Sequence, residues 1–269
     1  MADHVKLERP REGVALVTMS NPAINNHCSW IGIGQLAAAM KEAREGGARV
    51  TVLASGVPGH WFEHAWLQDL ADATEGKPTT GEGSAWFEAL YEIGKTHVVT
   101  IAAVSGDCSG GGAELGWACD LRIAEEQALF AQPEIQIALT TGIGGTSRLA
   151  RIIGRTATAE MVMLGRPMTA RRIYELGGVN EVVPAGKAVE VSLQWASMLA
   201  ERPAKALATL KQILADNDDM NLTDALANEQ RLFQTVSTTP EAKQTMRRIQ
   251  ARFNAGESIR DVYGLPRKS

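Results

Sequence analysis

Short apolar runs of strand length alternate with stretches of helical character through the first two thirds of this chain. That alternation confines it to a layered α/β fold. The runs Val14–Met19 (VALVTM), Ala48–Gly56 (ARVTVLASG) and Val98–Gly106 (VVTIAAVSG) are rich in β-branched residues and nearly free of charge, as strands buried on both faces are. A helical stretch, Ile31–Arg44, separates the first two. Asp120–Glu134 (DLRIAEEQALFAQPE) carries two more strand candidates and Gly177–Pro184 another. From Ala188 on, apolar residues recur at helical spacing in three segments, AVEVSLQWASMLAE, PAKALATLKQILAD and NLTDALANEQRLFQTV. Thr223 is the expected cap of the third. The reading is a core over residues 1–200 and a C-terminal helical region over 201–269, the latter expected to make oligomer contacts. Ala71–Ala85 (ADATEGKPTTGEGSA) reads as a mobile surface loop and a candidate lid.

The 269 residues include 27 Lys and Arg against 31 Asp and Glu, a net charge of −4. No general basic surface for nucleic acid is expected. No apolar run has the length of a membrane span, and the charged start, MADHVKLERPREG, does not read as a secretory signal. Cys28, Cys108 and Cys119 lack metal-ligand spacing. They read as free thiols of a protein in a reducing cytoplasm that uses no metal.

One stretch, VSGDCSGGGAELGWACDLRIA (Val104–Ala124), points to chemistry. Three glycines open a helical run that then places a lone carboxylate, Glu114, among apolar residues. An unpaired buried charge is costly, and glycines at a helix start let a ligand approach the backbone. Twenty residues on, Glu134 repeats the oddity in LFAQPEIQIAL. Two partly desolvated carboxyls are what general acid–base work requires. From the residues alone, a first-turn carboxylate favoured by the helix dipole and a solvent-facing residue after a proline are the commoner accounts of such a pair, and the functional one stays open beside them.

The segments IAAVSGDCSGGGAELGWACDLRIA, FAQPEIQIALTTGIGGTSRLARIIG and EMVMLGRPMTARRIYELGGVNEVVP resemble, in order and spacing, the crotonase or enoyl-CoA hydratase/isomerase superfamily. The resemblance extends from about Val14 to Phe253. It implies a ββα spiral core with a C-terminal helical region, and an acyl-CoA thioester as ligand, with no cofactor beyond the coenzyme A that the substrate carries. It implies that the backbone N–H groups of Ala65 and Gly111 bind the thioester oxygen, that Glu114 and Glu134 handle a water, and that Gly142 lies beside that water. A homotrimer or a dimer of trimers is the implied assembly.

The chain leaves the family pattern at the first oxyanion element, where His64-Ala65-Trp66 stands in place of Gly-Ala-Asp. A backbone donor needs only the right φ and ψ, so Ala65 keeps its expected role. His64 requires a negative φ or a ring pinned by a hydrogen bond. Trp66 is expected along the acyl path, and both His64 and Trp66 are candidate substrate contacts. The expected activity is hydration of a 2-enoyl-CoA. A double-bond isomerase, a C–C or thioester hydrolase, and a non-catalytic scaffold are the alternatives.

Overall fold

The computed structural model describes residues 3–264. The chain divides after Ala204 into two compact units. The first opens with β1 (Val5–Arg11), which turns back through Gly13 into β2 (Val14–Met19). α1 (Trp30–Glu45) starts at Ser29, whose hydroxyl accepts from Gly32 N–H at 3.3 Å, and stops at Gly46. Then come β3 (Val50–Ser55), the two-residue β4 (Gly59–His60), α2 (Leu67–Thr74) and α3 (Ala85–Ile93). β5 (Val99–Val104) and β6 (Gly106–Ser109) run into α4 (Gly110–Ala118). β7 (Leu121–Glu125) and β8 (Leu129–Ala131) precede a 3₁₀ turn over Glu134–Ile137. α5 (Ser147–Ile153), α6 (Arg155–Leu164), β9 (Met168–Thr169), α7 (Ala170–Glu175), β10 (Glu181–Val183) and α8 (Ala188–Ala200) complete the unit.

Six strands form one sheet in the order β1-β2-β3-β5-β7-β10, antiparallel at β1 and parallel from β2 onward. A second sheet has the order β4-β6-β8-β9. Each of the pairs β3–β4, β5–β6 and β7–β8 sends its first strand to the large sheet and its second to the small one. Helical structure succeeds each pair, so the chain winds forward in ββα turns. β5 is buried along its whole length, because α8 crosses β3, β5 and β7 on one side and the interior lies on the other. Trp61 and Phe62 are fully buried there, with rings stacked at 4.1 Å.

The second unit is helical: α9 (Ala204–Asn217), α10 (Leu222–Ser237), α11 (Pro240–Asn254) and α12 (Ile259–Tyr263). Asn221, not Thr223, caps α10. The Asn221 carboxamide accepts from Asp224 N–H at 3.1 Å, and Thr223 sits inside the first turn. The expected loop at Ala71–Ala85 begins as the end of α2, and the remainder of it is tied down. Asp69, 1 % exposed, accepts from Thr80 N–H and from the Thr80 hydroxyl, both at 2.7 Å. It also takes Trp30 N–H at 2.9 Å, so one carboxylate joins α2, the loop and the start of α1.

Candidate active site

The site forms where the β6–α4 junction meets the segment after β4. α4 opens with Gly110 at a φ of 49°, a conformation that favours glycine. The backbone of Phe62–His64 lies directly on this first turn: Ser109 N–H donates to Phe62 O at 3.2 Å. The far end of the helix is held by the buried Arg122 guanidinium, which donates to the carbonyls of Gly116 and Cys119 at 3.1 and 2.6 Å. A cation at a helix C-terminus complements the dipole.

Ala65 is placed by a lone parallel bridge to Cys28. Cys28 N–H donates to His64 O at 3.0 Å and Trp66 N–H donates to Cys28 O at 2.9 Å. Peptide groups alternate in direction along extended chain, so the N–H of Ala65 faces away from Cys28. His64 has no positive φ, and its ring Nδ1 lies 2.8 Å from Ala65 O. Both features expected of a histidine in place of glycine are present. Its ring also meets His27 edge-on at 4.3 Å.

A cavity of about 300 Å³ lies between these elements. Its wall includes His64, Ala65, Gly111, Glu114, Glu134 and Gly142, which brings six of the seven residues singled out in the sequence to one space. Trp66 is not part of that wall; it starts α2 and turns toward His27, with ring centroids 6.0 Å apart. The aromatic wall comes from Trp30 and Trp86 instead. A Cβ on Gly111 would stand 2.8 Å from the Trp86 ring. Sequence reasoning missed both tryptophans, since each is only one apolar position of a helix. A Cβ on Gly142 would meet nothing within 4 Å, so a side chain there would project into open space.

The two carboxyls sit in different settings. Glu114, 3 % exposed, accepts on Oε1 from Gly145 N–H at 2.6 Å and Ile143 N–H at 3.1 Å. Burial raises its pKa, and backbone donors from residues 142–145 oppose that rise. Glu134 opens the 3₁₀ turn after Pro133. Burial pushes it up to about 7; its own backbone N–H opposes this, and the charge of Glu114 adds to it. Gln132, fully buried, holds Glu134 from behind. With its amide oriented to satisfy both neighbours, its oxygen accepts from Trp117 Nε1–H at 3.0 Å and its NH₂ donates to the two Glu134 oxygens at 2.9 and 3.2 Å. Gln132 belongs to the same Q-P-E element as Glu134, and sequence reasoning gave it no role. A buried amide beside a proline turn was the available signal.

Residues 9–254 match the model of the enoyl-CoA hydratase/isomerase family. The chain belongs to that family. A probable mitochondrial enoyl-CoA hydratase 2 of Arabidopsis thaliana is 30 % identical over 243 residues, covering 89 % of this chain and 80 % of that protein. The 2,3-dehydroadipyl-CoA hydratase of Escherichia coli is 29 % identical over 231 residues, covering 86 % and 89 %. The solved enoyl-CoA hydratase of Thermoplasma volcanium superposes with a TM-score of 0.81 at 26 % identity, over 92 % of this chain and 97 % of that one. The family's crotonase fold is the ββα winding described above, and its members act on acyl-CoA thioesters.

Proposed function

We propose that this family member is an enoyl-CoA hydratase, adding water across the double bond of a 2-enoyl-CoA. The observation that carries the reading is the meeting, in one cavity, of two carboxyls with unlike environments and two backbone segments, Ala65 and Gly111. The thioester oxygen sits between the N–H groups of Ala65 and Gly111. Donors already aimed at the developing charge lower the barrier most, and removing one typically costs about 10²–10³ in rate. Gly111 is in the first turn of α4, where N–H groups lack partners within the helix and the dipole favours an anion.

Glu114 and Glu134 hold one water between them at C3 of the enoyl group. The backbone donors on Glu114 favour its charged form, so it takes the proton as the water oxygen bonds to C3. The electron pair of the double bond passes to the thioester oxygen as an enolate. Glu134, with a pKa near 7, is protonated in a large fraction of molecules at neutral pH and delivers its proton to C2. A general acid works best with a pKa near the operating pH. The products are a 3-hydroxyacyl-CoA and, after a proton passes back between the carboxyls, the starting enzyme.

Assembly as a homotrimer or a dimer of trimers is part of the same reading. Leu222, Leu226 and Phe233 on α10 are 74, 57 and 54 % exposed, and closed symmetric contacts are how such faces are usually covered. A monomer by light scattering at micromolar concentration contradicts this. The expected cytoplasmic location rests on the three buried free thiols; no helix among the described residues is long and apolar enough to cross a membrane.

The test is spectrophotometric. Hydration removes the conjugation of the enoyl thioester and its absorbance, so a panel of short, long and aromatic 2-enoyl-CoA esters should include one that bleaches rapidly. Double-bond migration without water uptake, thioester cleavage with a free thiol, or no change at all would point to the isomerase, hydrolase or scaffold alternatives.

A further inference from the structure

Ser109 stands at the N-cap position of α4 in extended conformation, yet its hydroxyl makes no cap hydrogen bond. A serine there ordinarily accepts from the N–H of the second or third helical residue. In this helix those residues are Gly111 and Gly112. The hydroxyl is engaged elsewhere: it accepts from His64 N–H at 3.1 Å and donates to Glu63 Oε2 at 2.5 Å. The other carboxylate oxygen of Glu63 takes His60 Nδ1 at 2.8 Å. Glu63 is only 9 % exposed, lies close enough to Asp107 for its charge to help raise the Asp107 pKa after burial, and is not part of the cavity wall.

We propose that Glu63 and Ser109 are positioning residues of the oxyanion site: Glu63 draws the Ser109 hydroxyl off the N-terminus of α4, which leaves Gly111 N–H for the thioester oxygen, and the same hydroxyl holds the His64–Ala65 peptide in register with it. The inference rests on the hydratase reading above. Its logic is competition. A helix start with a serine cap has a built-in rival for its second N–H. A buried acceptor that fixes the serine rotamer by taking its O–H, and a backbone donor that engages the serine oxygen, turn that oxygen away from the helix start. Glu63 supplies the first and His64 the second. Glu63 and Ser109 both lie outside the cavity wall, so they act without touching substrate.

The competition predicts a pattern that a merely structural role does not. Glu63→Ala frees the hydroxyl to cap α4, so it blocks Gly111 and loosens Ala65 together. Ser109→Ala only loosens Ala65. Misplacement of a reacting group by about 1 Å can cost on the order of 10²-fold. Glu63→Ala should therefore lower kcat by about that factor, and Ser109→Ala by less than about tenfold. The double variant should return to the Ser109→Ala level.

The direct readout is the thioester carbonyl stretch of bound butyryl-CoA carrying ¹³C at that carbonyl, read by isotope-edited infrared difference spectroscopy. Butyryl-CoA has no double bond to hydrate, so the signal needs binding alone. Wild-type protein should lower the stretch relative to free ligand, Glu63→Ala should return most of that shift, and the double variant should restore it. A Glu63→Ala protein with wild-type kcat and stretch overturns the proposal, as does a double variant worse than either single. If Glu63→Ala does not fold, Ser109→Ala decides alone: the proposal requires a stretch close to wild type, and a stretch at the free-ligand position refutes it. A wild-type protein that leaves the stretch unshifted instead refutes the hydratase reading at Ala65 and Gly111.

Discussion

A Cβ built on Gly112 would stand 2.2 Å from the carbonyl oxygen of Phe62. It would also lie 2.4 Å from Glu63 O. Both obstacles are backbone, so neither can rotate away. The third glycine of the run thus sets how closely the Ala65 segment approaches α4. Gly112→Ala should cost about 3 kcal/mol, at the upper end of overpacking effects, or fail to fold. Gly142→Ala, with open space around its Cβ, should change stability by less than about 0.5 kcal/mol while lowering turnover. Urea denaturation of the two variants side by side checks the contrast.

The paired carboxyls predict non-additive kinetics. Glu114→Gln and Glu134→Gln should each reduce hydration by about 10²–10⁴-fold and leave butyryl-CoA affinity within a few-fold. The double variant should be little worse than either single, because both act on one step. Single-turnover kinetics beside equilibrium binding measures this. Near-normal turnover in either single variant removes the two-glutamate mechanism.

The raised pKa of Glu134 has two signed consequences. In the proposed role of general acid, Glu134 must carry its proton, so kcat should fall as pH rises through about 7. For stability, a carboxyl whose folded pKa exceeds its unfolded value stabilises the fold at low pH and loses that contribution between about 4.5 and about 7. After discounting for solvent at the cavity mouth, the loss is about 1–2 kcal/mol. Denaturation at pH 4 and pH 8 should show Glu134→Gln gaining on wild type by that amount at the higher pH.

Asp69 ties residues 75–84 to α1 through Thr80 and Trp30. Asp69→Ala strands two backbone donors and a hydroxyl. It should cost about 2–3 kcal/mol and open the Gly76–Gly83 stretch to proteolysis, with a rise in KM larger than any fall in kcat. Limited proteolysis with mass mapping reads the first effect.

Much of the fold and the site is legible in the sequence. Buried strands announce themselves by β-branched runs, and Val14–Met19 is β2 residue for residue. Glu114 and Glu134 stand out because a lone carboxylate in apolar sequence has few physical explanations. β1 is illegible: VKLERPR is an edge strand with a solvated face, and charge hides alternation. The two-residue strands β4 and β9 carry too little sequence to show a period. Asp69 looks like any helix-surface acid, because its three donors come from segments 11 and 39 residues away. Thr223 looks like a cap as good as Asn221, and only the backbone distinguishes them. Gln132, Trp30 and Trp86 are ordinary residues that matter through what the winding brings opposite them.

The central claim is that water held by Glu114 and Glu134 adds to C3 of an enoyl thioester whose oxygen lies between Ala65 and Gly111. The most direct measurement is mass spectrometry of the product formed from 2-enoyl-CoA esters in water enriched in heavy oxygen. The account predicts, for at least one ester, a 3-hydroxyacyl-CoA with one heavy oxygen at C3 from wild-type protein, and about 10²-fold or more slower formation by Glu134→Gln. An intact thioester with a moved double bond and no added oxygen, or heavy oxygen found only in a free carboxylic acid, would contradict it.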